Sequence, residues 1–186
     1  DEQGEVVAML PGSRRSEVQY LARRFFDAAL LMQTRRTGLR FVVPAVPALR
    51  EAITAHARDA GLHDVLIVEG RSHEVLAACD ATLIASGTAT LETALFGTPE
   101  VVVYRTGRLN YAIARRVVRL ERIGLPNIVA GAEVAPELIQ GGLTAERLAD
   151  RLAAWLDDAA ARERARAALG AVRERLGGPG ASARAA

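Results

Sequence analysis

Short, continuously apolar runs rich in β-branched residues alternate along this chain with stretches of helical periodicity. That alternation confines it to a parallel sheet covered by helices. The first run is Val6-Val7-Ala8-Met9-Leu10, stopped by Pro11-Gly12. A helix follows with Val18, Leu21, Phe25, Ala28 and Ala29 at helical spacing, and Ser16 is its expected N-cap. Arg40-Phe41-Val42-Val43 reads as the second strand, and a helix from about Leu49 to Ala60 ends at Gly61. Val65-Leu66-Ile67-Val68 is the third strand, with a short helix after it near Ser72, again a plausible cap. Ala81-Thr82-Leu83-Ile84-Ala85 is the fourth, and a helix from Ala89 to Phe96 closes at Gly97. Val101-Val102-Val103-Tyr104 is the fifth, and Asn127-Ile128-Val129-Ala130 is expected as the sixth. Runs that are apolar throughout belong to strands buried on both faces. The remainder reads as helix: Ala135 to Gln140, then Ala145 to Asp157 capped by Thr144, then a long Ala/Arg helix to Leu176.

Composition narrows the class without pointing to a function. Hydrophobic residues make up 50% and charged residues 25%, as in ordinary globular domains. No apolar run approaches the ~18 residues of a membrane-crossing helix. Asp1-Glu2-Gln3-Gly4 is polar and acidic, unlike a secretory leader. Cys79 stands alone, which fits a reducing compartment. Every basic residue is Arg, yet the net charge is only +2, the arginines are interspersed with acids and aromatics reach only 4%, a poor profile for a nucleic-acid binder.

In an open parallel sheet, ligands sit beyond the carboxyl ends of the strands, so the turns leaving strands one, four and six are the places to look. In the first, Leu10-Pro11-Gly12-Ser13-Arg14, Gly12 permits a tight turn, Ser13 offers donors and Arg14 can fork onto a diphosphate. The second, Ala85-Ser86-Gly87-Thr88-Ala89-Thr90-Leu91-Glu92, is a small-residue turn into a helix, where backbone amides can approach phosphate. Glu92 lies one turn after Thr88 and can accept from both ribose hydroxyls, or serve as an ordinary first-turn acid. The third is Leu125-Pro126-Asn127, in which Asn127 carries a donor and an acceptor in one planar group. His56, His63 and His73 are scattered, so no metal-ligand cluster is expected, and His73 reads as a partly exposed surface histidine that could approach a bound base. The spacings of a Walker loop, a dinucleotide fingerprint and a hydrolase elbow are all missing.

Five motifs in order carry a resemblance. Leu-Pro-Gly-Ser-Arg at 10–14, Ala-Ser-Gly-Thr-Ala-Thr-Leu-Glu at 85–92, Val-Val-Val-Tyr-Arg at 101–105, Leu-Pro-Asn-Ile-Val-Ala-Gly at 125–131 and Pro-Glu-Leu-Ile-Gln at 136–140 look like the lipid-A-disaccharide synthases. The resemblance implies a Rossmann-like, doubly wound α/β domain with a six-stranded parallel sheet, helices on both faces and a helical C-terminal end. Residues 1–176 would be the UDP-sugar-binding half of a GT-B glycosyltransferase, and 177–186 the start of a further helix. Both ends read as cuts inside a longer protein whose N-terminal acceptor domain supplies the general base. The implied reaction is inverting and needs no cofactor or metal. It joins UDP-2,3-diacylglucosamine to 2,3-diacylglucosamine 1-phosphate (lipid X). Arg14 and Asn127 would stabilise the leaving UDP, Gly12, Ser13, Ser86, Gly87 and Thr88 would cradle phosphate, and Glu92 would hold the ribose. Such an enzyme works in the cytoplasm at the inner face of the inner membrane, and a homodimer is compatible with it. Arg108, Arg115, Arg119 and Arg122, spaced as one helical stripe opposite Ile113, Val117 and Leu120, could rest on anionic lipid or simply face water. The family's usual apolar residue after the proline at 99 is replaced here by Glu100. Other readings are half of a UDP-sugar 2-epimerase, which shares the fold, and a non-catalytic nucleotide-binding module.

Overall fold

The computed structural model describes residues 4–107 and 122–177. Six parallel strands form one sheet in the order β3-β2-β1-β4-β5-β6. They are β1 (Val6–Leu10), β2 (Arg40–Ala45), β3 (Leu66–Glu69), β4 (Ala81–Ala85), β5 (Glu100–Tyr104) and β6 (Glu137–Ile139). The helices are α1 (Arg15–Arg35), α2 (Arg50–Ala60), α3 (Ser72–Ala78), α4 (Thr88–Phe96), α5 (Leu125–Ala130), α6 (Ala145–Asp157) and α7 (Ala159–Leu176). The order reverses between β1 and β4, which pair with Val7 opposite Ala81 and Leu10 opposite Ile84. There the loops leaving the two strands part in opposite directions and open a crevice.

Burial explains the apolar runs. Val7, Met9, Phe41, Val43, Leu83, Val101 and Val103 point to one face, under α1, α2 and α6, and form the main core. Ile84 and Val102 point to the other face, and there Leu169 and Val172 of α7 pack on Ala94 of α4. Helix α7 thus backs the very helix that opens at the crevice. Arg175 near its end donates to the carbonyls of Val129 and Ala130, the exposed C-terminal acceptors of α5. At the opposite end of the sheet, Arg36 pairs with Glu5 and Asp157, tying the start of β1 to the α6–α7 junction. Thr144 Oγ1 caps α6 by accepting the Arg147 N–H at 3.3 Å, as its position in the sequence suggests.

Three local expectations need correction. Residues 127–130 are helix, not strand: Pro126 sits in the first turn of α5, where its fixed φ is already helical, and Gly131 closes the helix at φ 67°. A four-residue apolar run carries no period that separates the two states. The sixth strand is instead Glu137–Ile139, within the stretch expected as helix, because Val102, Val103 and Tyr104 offer β5's free edge to it. Ser16 and Ser72 lie inside their helices, whose N-caps are Arg14 and Arg71.

Candidate nucleotide site

The crevice between β1 and β4 is lined by four chain segments. The turn after β1 gives Gly12, Ser13 and Arg14, with Glu17 from the first turn of α1. Pro44 and Val46 come from the exit of β2, and Ser72 from the start of α3. The turn after β4 gives Ser86, Gly87 and Thr88, and one turn further stands Glu92. The structure therefore gathers seven of the eight residues singled out from sequence: Gly12, Ser13, Arg14, Ser86, Gly87, Thr88 and Glu92.

Two helix N-termini converge here, and they differ in one respect that decides their use. That of α1 is satisfied internally: Glu17 Oε2 accepts the N–H of Ser13 at 3.0 Å and of Arg14 at 3.1 Å. Its other oxygen pairs with the Arg14 guanidinium at 3.0 Å. Gly12 makes room for this, since a Cβ there would stand 2.4 Å from Glu17 Cβ, and its φ of +123° also favours glycine. The N-terminus of α4 is open. Gly87, its N-cap, makes no side-chain cap bond, the first turn holds no acid, and a Cβ on Gly87 would meet nothing within 4 Å. Thr90 N–H bonds back to Gly87 O, while the amides of Gly87, Thr88 and Ala89 have no partner among the described residues. A row of free amides at the positive end of a helix, with an arginine lining the same crevice, is an arrangement that can hold a phosphate.

Glu92 lines the crevice with its Oε2 3.5 Å from His73 Nε2 of α3. His73 in turn lies against Phe96, ring centroids 5.7 Å apart. Ser86 lines the same crevice, but both of its donors are committed: its N–H to Val103 O at 2.8 Å and its hydroxyl to Ile123 O at 3.1 Å. Towards a ligand it offers lone pairs only. No group of three metal-ligating side chains is found among the described residues.

Asn127 is the residue the structure does not bring to the crevice. It is fully buried in α5 and all four of its hydrogen-bonding positions are filled. Its Nδ2 donates to Ala135 O and Glu137 Oε1, at 2.6 and 2.8 Å, and its Oδ1 accepts from Val134 and Ala135 N–H at 2.7 and 2.9 Å. Nothing is left over for a phosphate. The structure also adds residues that the turns alone did not single out. Glu17 could have been found as the acid three residues after the cap. Glu137 could not, because its partners lie far off in sequence: Ile123 N–H at 3.0 Å, Gly124 N–H at 2.8 Å and Asn127. Of the arginine stripe, Arg108, Arg115 and Arg119 lie outside the described residues.

This topology is a Rossmann-like α/β fold of the kind that forms one half of the GT-B architecture. Solved structures of similar fold include the UDP-GlcNAc 2-epimerase from Neisseria meningitidis bound to UDP-GlcNAc, at 15% identity and a TM-score of 0.60 over 95% of this chain and 45% of that one. Another is the spinosyn rhamnosyltransferase SpnG complexed with thymidine diphosphate, at 18% identity and a TM-score of 0.61 over 92% of this chain and 42% of that one. Sequence comparison is more specific: residues 1–180 match the family model described as lipid-A-disaccharide synthetase, and the chain belongs to that family. The lipid-A-disaccharide synthase of Albidiferax ferrireducens is 53% identical over 82% of this chain and 40% of its own length. That of Geobacter metallireducens is 41% identical over 100% of this chain and 48% of its own. The chain thus spans less than half the length of these relatives.

Proposed function

We propose that this chain is the donor-binding half of an inverting glycosyltransferase that joins UDP-2,3-diacylglucosamine to lipid X. The products are lipid A disaccharide 1-phosphate and UDP. The observation that carries the reading is the open N-terminus of α4 facing Arg14 across the crevice. As the bond between the sugar and the β-phosphate breaks, negative charge grows on UDP. Amides at Gly87–Ala89 already point out of the helix end towards that charge, and the Arg14 guanidinium, which lines the same crevice and is paired with Glu17, forks onto the phosphates as it leaves that exposed pair. Glu92, one turn along α4, takes the ribose hydroxyls. These groups need no metal to do this. A general base for the acceptor hydroxyl would come from another part of the full protein, as would the acyl-binding surface. Work at the inner face of the inner membrane follows from the lipid substrates; among the described residues no helix is long and apolar enough to cross a membrane.

The structure favours α4 over α1 as the phosphate helix, because Glu17 already occupies the α1 amides. Asn127 enters this reading only as a buried support of the Leu-Pro-Asn turn. Calorimetric titration with UDP, without added metal, tests it. Saturable binding by the chain, lost in Arg14→Ala, is expected; no binding by the folded chain, and none by the full-length protein, would overturn it.

A further inference from the structure

Ser86 stands in the crevice, yet as oriented it cannot donate to a phosphate. Its hydroxyl proton goes to the carbonyl of Ile123, 37 residues away. That carbonyl is held from the opposite side of its own peptide segment. Glu137, at the start of edge strand β6, accepts the Ile123 N–H with both carboxylate oxygens, at 3.1 and 3.0 Å, and the Gly124 N–H with Oε1. The approach is close: a Cβ on Gly124 would stand 3.1 Å from Glu137 Oε1 and 3.3 Å from Val102. Asn127 steadies the same carboxylate through Nδ2. Hydrogen bonds to a carboxylate are the stronger kind, so this anchor is stiffer than the Ser86 contact it supports.

We propose that Glu137 is a positioning residue for ligand recognition. By fixing the Ile123–Gly124 peptide it holds Ser86 with its lone pairs towards the crevice, as an acceptor for a hydroxyl or amide N–H of the donor's sugar. This rests on the donor-site reading above, and deepens it. The diphosphate is recognised by α4 and Arg14, which donate, while the sugar is recognised by a group that accepts. A phosphate, which at neutral pH has only acceptor oxygens, gains nothing from Ser86 in this state.

The test compares UDP with UDP-N-acetylglucosamine on the chain. Ser86→Ala should leave UDP affinity within about twofold and weaken the UDP-sugar about five- to tenfold, the loss expected for one hydrogen bond. Glu137→Gln should give the same split, and the double variant should be no weaker than either single one. A ligand-free readout accompanies it. Three-bond couplings should show one Ser86 χ1 rotamer in the unaltered chain and averaging in Glu137→Gln. Equal weakening of both ligands, additive losses, or a Ser86 rotamer untouched by Glu137→Gln would each overturn the inference. Failure of UDP to bind the unaltered chain and the full-length protein would instead sink the donor-site reading and the sugar contact with it. In that case the rotamer measurement still decides whether Glu137 positions Ser86.

Discussion

Glu17 and Arg14 meet at 3.0 Å across the first turn of α1, and the same carboxylate receives the Arg14 backbone N–H at 3.1 Å. The two contacts have different weights. The side-chain pair is exposed on the arginine side, 79%, so water screens it and it adds little stability. The amide contacts satisfy donors that the helix cannot satisfy itself. Glu17→Ala should therefore lower the unfolding free energy by about 0.5–2 kcal/mol, the cost of a lost cap. Arg14→Ala should stay within about 0.5 kcal/mol of the parent. Urea unfolding of the two variants checks this. A neutral Arg14→Ala is also what makes its loss of UDP binding interpretable as loss of a ligand contact.

Gly12 is the hinge of the same turn. Its φ of +123° is one that side chains rarely adopt, and a Cβ would press on Glu17 at 2.4 Å. Gly12→Ala therefore strains the backbone and evicts the Glu17 cap together, for a loss of about 1–3 kcal/mol. Thermal unfolding should show a lowered Tm. Gly12→Ala combined with Glu17→Ala should lose less than the sum of the two, because the Glu17 cap is lost in each single variant and can be lost only once, while the contact with Cβ of residue 17 remains.

Sequence reading worked best where one residue pattern had one physical solution. Buried strands such as Ala81–Ala85 read correctly because five consecutive apolar-compatible residues between turn signals suit a strand covered on both faces. The turns at Gly12 and Gly87 read correctly because small residues between a strand and a helix have few other uses. The reading failed between Asn127 and Gln140, where decisions are made by distant partners, while the helices at Ala145–Asp157 and Ala159–Leu176 read correctly. Val129 and Ala130 could extend as strand or wind into helix; Pro126 and the Arg175 side chain, 45 residues on, favour the helix. Asn127 looked like a free polar group at a turn. It is a buried one, since its partners at 134, 135 and 137 return to it only when β6 docks on β5.

That burial makes Asn127 a test of fold and not of ligand contact. Asn127→Ala removes two donors and an acceptor from Ala135 O, Glu137 and the amides of Val134 and Ala135, all away from water. Each buried group left unpaired costs about 1–3 kcal/mol. A total loss of about 3 kcal/mol or more is expected, read as a shifted urea midpoint. If Asn127→Ala unfolds like the parent but no longer binds UDP, then Asn127 reaches the ligand directly and the assignment of a supporting role is wrong.

Glu100 yields the prediction with a pH sign. It begins β5 opposite Thr82, is 1% exposed, and neither carboxylate oxygen has a hydrogen-bond partner among the described residues. Burial without a partner penalises the charged form and pushes the carboxyl well above the ordinary glutamate range. The native state therefore keeps a proton that the unfolded chain releases near its usual value, about 4.3. The unfolded chain then binds fewer protons, so this residue's contribution to stability is intact below about pH 4 and is lost as pH rises towards the folded-state value. Glu100→Val, which restores an apolar residue at this strand entrance, should be more stable than the parent at neutral pH by about 1–3 kcal/mol. The gap between the two should shrink as pH falls from 7 to 4. Urea unfolding at several pH values reads the difference directly, which cancels the titration of every other group. A gap that stays constant, or widens in acid, would mean that Glu100 is held as a carboxylate and that its neighbourhood supplies a donor.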